Sequence, residues 1–413
     1  MDESGVIAQY LELGLRVGRH IEGFVDSYYG PLEIANRIAV ESVRAPELLR
    51  HDARALVGAI DSGDALGSVA YGQEVSPETP GRRRYLRSQL VGVEMTTRVL
   101  SNEAVDYADE VEACYGVRPK RVPEEMILET HRNLDLVMPG SGPLRDRLIA
   151  WREAQAIEPA KLGRAVASLC EDLRARTDLM FGLPGGESIE FEYVNNKPWS
   201  GFNYYLGGLR SRVAINIDLP VLSTMLARLV AHEAYPGHHT EHSRKEAGLV
   251  RTRHQYEESI SLVGTPQCLI AEGLADLGLE VVMGIRPEAV IAEHFQPLGI
   301  SYDEEVIAVV AAASDVLSSV RANAAFRLHE DHADPETVID EIAYFGLQPR
   351  ARAAKSIEFL LDPTWRAYTS CYVEGLPLCR NYVAGDARRF ERLITEQVIP
   401  ADLISALPMG NKA

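Results

Sequence analysis

His232-Glu233-Ala234-Tyr235-Pro236-Gly237-His238-His239-Thr240-Glu241-His242 places four of the chain's eleven histidines within eleven residues, at the end of an apolar stretch that reads as a buried helix. Neutral imidazoles are good ligands for zinc, and a carboxylate beside them can take a proton from bound water. The familiar spacing is H-E-x-x-H, where residues i and i+4 leave one face of a helix. Here the fourth residue after His232 is Pro236, and the next histidines follow six and seven positions on. In an unbroken helix, i+6 is turned about 240° from i and lies about 9 Å further along, so His238 would point away from His232. Pro236 has no N–H for the carbonyl of residue 232, and its ring clashes there, so the helix must kink or end. Gly237 permits backbone conformations closed to other residues. Together the two can swing His238 back towards His232. His239, about two turns on, would share a face with His232 in a straight helix and stands as the second candidate.

Two histidines do not complete such a site. A hydrolytic zinc takes three protein ligands and keeps one position open for water. Glu272, in Ala271-Glu272-Gly273-Leu274-Ala275-Asp276, sits among Cys268, Leu269, Ile270 and Leu274, where an unpaired carboxylate is expensive. A metal would remove that cost. Asp276 and Glu280 share its helical face and stand as alternative ligands, or as partners of a ligating imidazole.

With 413 residues and 46% hydrophobic content, the chain can bury a large core. A formal net charge of −18 argues against nucleic acid and anionic membrane as partners, since both call for a basic face. The cysteines, Cys114, Cys170, Cys268, Cys371 and Cys379, are odd in number and form no C-x-x-C pair, which suits a reducing cytosol. The start, Met1-Asp2-Glu3-Ser4, is acidic and unlike a secretory signal. The longest apolar run, Val306 to Ala313, falls far short of the roughly 20 residues a membrane span needs. The expectation is a cytoplasmic, enzyme-sized chain of open oligomeric state.

Helical spacing dominates, over Ile7 to Tyr28, Arg84 to Ala113, Glu124 to Leu136 and Pro143 to Met180, and again from Gly264 onward. Residues 61–80, rich in Gly, Ser and Pro, read as an exposed connection. At Phe181-Gly182-Leu183-Pro184-Gly185-Gly186 the texture changes. Ser188 to Val194 and Arg212 to Asp218 alternate apolar with polar or small residues, which marks strands, with an aromatic and Gly-rich loop, Lys197 to Gly208, between them. The expected fold is mainly α, with one small sheet beside the metal helix and a central cleft. The organisation expected is a helical N-terminal region, 1–180, and a catalytic region, 181–413.

The segment His232 to His239 resembles the H-E-x-x-P-G-H-H signature of a bacterial zincin-like family, long filed as a domain of unknown function and grouped with gluzincin metallopeptidases. Glu272-Gly273-Leu274-Ala275 resembles that family's E-G-W-A segment. Arg321 and His329 have the spacing of its later arginine and histidine, and Tyr372-Val373-Glu374-Gly375 resembles its Y-x-x-G segment. The likeness runs from about Arg212 to Gly375. It implies a zinc-dependent hydrolase acting on short peptides. His232, His238 and Glu272 would hold Zn²⁺, Glu233 would be the general base, and Tyr372 would donate to the oxyanion. Arg321 and His329 would contact substrate carboxylate or oxyanion. By analogy with gluzincins, the strand Arg212 to Asp218 would pair with an extended substrate. Leu274 stands where the family has Trp, and Thr369-Ser370-Cys371 replaces a Pro-Gly-Gln-Ala run. These departures spare the metal ligands and bear on specificity. The alternative is a non-peptidase metalloenzyme, since two histidines and a carboxylate also bind iron(II).

Overall fold

Helices carry most of the chain in the computed structural model, which describes residues 5–407 apart from 64–65, 67–68, 71–72, 75–78, 198 and 364. The fold is mainly α with small sheets. Pro266 opens and Gly284 closes the helix Pro266–Met283, whose residues Leu269, Ile270, Gly273, Leu274, Ala275, Leu277 and Gly278 are all buried. A helix apolar on every side runs through a core rather than over it. This one packs against Ser223–Glu233 and Thr369–Val383, so the elements bearing the histidines, Glu272 and Tyr372 meet in the protein's centre. Among the described residues, no helix is long and apolar enough to cross a membrane.

Among the described residues, seven strands accompany the helices: β1 (Val25–Tyr28), β2 (Val69–Ala70), β3 (Gln73–Glu74), β4 (Ser188–Val194), β5 (Gly201–Gly207), β6 (Arg210–Asn216) and β7 (Ile260–Leu262). β4 is parallel to β6 from Ser188↔Arg210 to Val194↔Asn216, and β5 is antiparallel to β6, giving the order β4-β6-β5. The alternating segments are thus strands, but the stretch expected to be a loop is largely β5. Aromatic and Gly-rich composition hid a strand whose turn, Gly207-Gly208, takes positive φ at both glycines. The order also corrects the substrate-pairing expectation. β6 is the central strand with both edges filled, and a substrate could only add to an outer strand. β5 is the outer strand that packs against the metal helix.

Ile7 to Tyr28 is not one helix. The helix Val6–Gly18 stops early, and Val25–Tyr28 pairs as β1 with β7, more than 230 residues away. The expected helix 84–113 divides into Pro80–Leu100 and Tyr107–Tyr115, and 143–180 divides into Leu144–Glu153 and Pro159–Phe181. Much of the 61–80 connection lies outside the described residues.

Among the described residues, buried apolar side chains form two clusters. The smaller draws on residues 6–93 together with Ile260 and Leu262 of β7. The larger runs from Met95 to Leu403 and holds the metal helix. The texture change at 181 therefore marks entry into the sheet, while the change of core falls within the helix Pro80–Leu100.

Candidate metal centre

The helix Ser223–Glu233 ends where its sequence says it must. Ala234 N–H makes the last helical bond, to Val230, and leaves the helical region at φ −113°, ψ −96°. Tyr235–Pro236 is a cis peptide, and a new helix, His238–Lys245, begins after Gly237. The chain doubles back tightly enough that Gly237 N–H donates to the Ala231 carbonyl at 3.0 Å. A Cβ on Gly237 would fall 2.0 Å from the His232 carbonyl oxygen, so only glycine fits. The turn brings His238 Nε2 to 3.0 Å from His232 Nε2, with the rings nearly perpendicular.

Glu272 completes the group. Its Oε2 lies 3.5 Å from His232 Nε2 and its Oε1 3.7 Å from His238 Nε2. A tetrahedral zinc with ligands at about 2.0–2.1 Å would set its donors about 3.3–3.4 Å apart. Among the described residues, His232, His238 and Glu272 form a group of three whose ligand atoms all lie within 4.8 Å of one another. Buried Oε2 of Glu272 has no hydrogen-bond partner, the 3.5 Å approach of His232 being an electrostatic contact only. An orphaned carboxylate oxygen beside two converging imidazole nitrogens fits a divalent cation. The side chains keep 14%, 14% and 10% of their surface, so solvent reaches them.

Surrounding residues orient these three. His232 donates from Nδ1 to Asp276 Oδ1 at 2.9 Å, which turns Nε2 inward. Asp276, one turn beyond Glu272, is thus a partner of the imidazole, and Glu280 is paired with Arg380. Tyr368 O–H donates to Glu272 Oε1 at 2.9 Å, and Tyr372 O–H donates to the Tyr368 oxygen at 3.3 Å. Tyr368 was not anticipated from the sequence. Its one signal is the i, i+4 spacing to Tyr372, which puts both phenols on the same side of a helix start.

The electrostatics follow from crowding carboxylates and imidazoles. Burial alone would raise the Glu272 carboxyl, but His232, His238 and Tyr368 outweigh it and hold it at about 2. Burial would lower His232, yet Asp276 and Glu272 lift it well above its ordinary value. Burial, aided by the charge of His232, lowers His238. Glu233 is buried and pushed up to about 7, chiefly by desolvation, with Glu272, Asp26 and Asp276 adding to it against His232.

Asp26 is a further unforeseen residue. The β1–β7 register slips between Val25 and Ser27, so Asp26 is the extra residue of a bulge. Bulges re-aim side chains. This carboxyl feels Glu272 and Glu241, and burial first, then those charges, raise it to about 7. The N-terminal region therefore reaches the centre.

The remaining expected residues lie differently. His239 is fully buried, with Nδ1 2.8 Å from Ser211 Oγ and Nε2 2.9 Å from Glu187 Oε2. Tyr235 O–H also donates to Glu187, which pins the turn to the sheet. This Ser-His-Glu set has no solvent access. His242 stacks on Tyr205. His329 is not joined to the group. Its Nε2 lies 2.8 Å from the Leu360 carbonyl oxygen and its ring stacks on Tyr107. Arg321 is exposed, in the electrostatic reach of Tyr372.

No profile of a known protein family matches the chain, and no curated protein does. Solved structures similar to it include the following two. One is a candidate lipoprotein from Colwellia psychrerythraea, at 14% identity and a TM-score of 0.49, covering 90% of this chain and 68% of that one. The other is a candidate lipoprotein of unknown function from Shewanella oneidensis, at 12% identity and a TM-score of 0.44, covering 90% and 64%. The chain thus spans about two thirds of the length of each.

Proposed function

We propose that the protein is a zinc-dependent hydrolase of short peptides, with His232, His238 and Glu272 as the metal ligands. The observation that carries this reading is the convergence of two imidazole Nε2 atoms 3.0 Å apart on a buried carboxylate oxygen without a hydrogen-bond partner. A divalent cation bound there supplies Lewis acidity, polarising a scissile carbonyl and acidifying a water molecule. Glu233 follows a ligand directly and is buried, so it stands where a general base for the attacking water is needed. It takes the proton from the attacking water and returns it to the leaving amine. Tyr372 is positioned by Tyr368 to donate to the oxyanion. Asn203 of β5 donates to the Glu233 carbonyl at 2.5 Å and holds the base against the sheet. The three ligands keep an open position, as catalytic rather than structural zinc sites do. The resemblance of His232–His239 to the zincin-like signature supports the same reading. All five cysteines are free, which suits the reducing cytoplasm in which we place the chain.

Metal analysis of protein purified without added metal, followed by digestion of a peptide library, tests this. The expected result is bound zinc and cleavage of short peptides that chelation abolishes. Bound iron, or a zinc-loaded protein that cuts no peptide, would overturn it.

A further inference from the structure

Four aromatic rings run in an unbroken train away from the ligand Glu272. Tyr368, whose O–H reaches Glu272 Oε1 at 2.9 Å, meets the Tyr372 ring edge-on, with centroids 5.2 Å apart. Its ring also meets Trp365 at 5.7 Å and Phe359 at 6.5 Å, again edge to face. Trp365 and Phe359 stack on each other at 6.1 Å, 22° from parallel. Phe359 belongs to the helix Arg350–Leu361 and Tyr372 to Thr369–Val383, while Trp365 and Tyr368 lie in the turn between them.

None of the four rings is sealed. Phe359 keeps 37% of its surface, although its neighbour Leu360 is fully buried, and Trp365, Tyr368 and Tyr372 are half-buried. Rings that serve packing alone are closed off in this protein, as Tyr10, Tyr85, Phe295 and Phe390 are. Burying an aromatic ring stabilises a fold strongly, so a train that stays in contact with water beside a metal centre leaves apolar area for a ligand to cover. The train also has a border. A Cβ on Gly23 would lie 3.2 Å from the Trp365 ring, so the loop ahead of β1 passes directly against the edge of the indole. Three separate segments therefore frame one apolar wall, which starts at a metal ligand.

We propose that Trp365, Phe359 and the ring of Tyr368 form a subsite for an aromatic or large aliphatic side chain of the substrate, so that the protein prefers peptides carrying one near the scissile bond. The assignment rests on the peptidase reading and deepens it. Trp365 is one phenol ring removed from Glu272, a gap that an extended peptide covers in about three residues at roughly 3.4 Å each. A peptide lying across the metal thus reaches the wall with a side chain close to the bond being cut. The wall is made of ring faces and edges and has no charge of its own, so it selects by apolar area.

Binding is measured by calorimetry on full-length, zinc-loaded Glu233→Gln protein, which cannot turn substrate over. The probes are tetra-alanine, the four tetrapeptides in which one Ala is replaced by Phe, and the matching four with Lys. At least one Phe peptide should bind about tenfold tighter than tetra-alanine or better, the scale of covering an aromatic side chain. No Lys peptide should gain. Adding Trp365→Ala should erase the gain, and adding Phe359→Ala, at an exposed position, should reduce it severalfold, with zinc content unchanged. If Trp365→Ala does not fold, Trp365→Leu keeps apolar volume while removing the ring, and it should reduce the gain as well. Phe peptides no tighter than tetra-alanine, Lys peptides that bind as tightly as Phe peptides, or a gain untouched by the variants at 365 and 359 would each overturn the proposal. If wild-type protein cuts none of these peptides while the Trp365-dependent gain persists, the peptidase reading fails and the apolar subsite stands.

Discussion

A Cβ atom on Gly273 would lie 2.3 Å from the carbonyl oxygen of Gly375, so the helices bearing Glu272 and Tyr372 touch backbone to backbone. The contact works in both directions, since a Cβ on Gly375 would meet the Leu269 carbonyl oxygen at 2.8 Å. Each glycine is a near neighbour of a site residue in sequence, and their close approach lets the Tyr368 hydroxyl reach Glu272. Gly273→Ala should therefore destabilise the protein by about 1–3 kcal/mol or more, as overpacked cores do. It should also weaken metal binding, because separating the helices draws Tyr368 from Glu272. Denaturant unfolding and metal titration check both. An alanine variant as stable and as tight-binding as the parent would refute the contact.

His232→Ala and Glu272→Ala should lose bound metal, whereas His239→Ala should keep it. Removing His239 instead leaves Glu187 and Ser211 without a partner in a fully buried place, a loss of about 2–4 kcal/mol. Metal content and thermal melting, measured on the same three samples, separate the roles. An empty site in the His239 variant, with stability unchanged, would reverse the assignment of His238.

The two phenols should fail differently. Tyr368→Phe removes the donor to a ligand and should weaken metal affinity about 10–100-fold, as loss of such outer partners does. Tyr372→Phe should leave metal affinity alone and lower kcat by about 10²–10³-fold, the scale of one oxyanion donor. KM should barely move, since the bond is made mainly in the transition state. A Tyr372→Phe variant with normal kcat would remove that tyrosine from catalysis.

Asp26 and Glu233 should each make the metal-free protein lose stability as pH rises. Asp26 and Glu233 are both raised to about 7 in the folded state, chiefly by burial. Between the unfolded carboxyl values near 4 and pH 7, the folded chain therefore binds more protons than the unfolded one, and stability falls with pH. Each such group contributes at most about 1.4 kcal/mol per pH unit, less where water screens it. Melting curves across pH 4.5–8 should flatten in Glu233→Gln and in Asp26→Asn. An unchanged slope in both variants would show that neither carboxyl is protonated in the native protein.

Local chemistry explains which features were legible in the sequence. Pro236 and Gly237 announce the break that turns His238 back, because proline's missing donor and glycine's missing Cβ act within a few residues. Glu272 stands out as an acid in an apolar run, though its choice over Asp276 and Glu280 needed the helix rotation seen in the fold. Strands β4 and β6 declared themselves by alternation, while β5 did not, since Phe202, Tyr204 and Tyr205 interrupt any clean period of two.

The sequence by itself determined the mainly helical class, the broken metal helix and the three candidate ligands, because each depends on steric or periodic rules of short range. The tertiary structure alone decided the rest. It buried His239 as a strut, took His329 to the Leu360 carbonyl, closed both edges of β6 and set Tyr368 against Glu272. It brought Asp26 to a centre some 200 residues away. These depend on which helices cross and where a bulge falls in β1, and such contacts between distant segments leave no period or spacing in the chain to read.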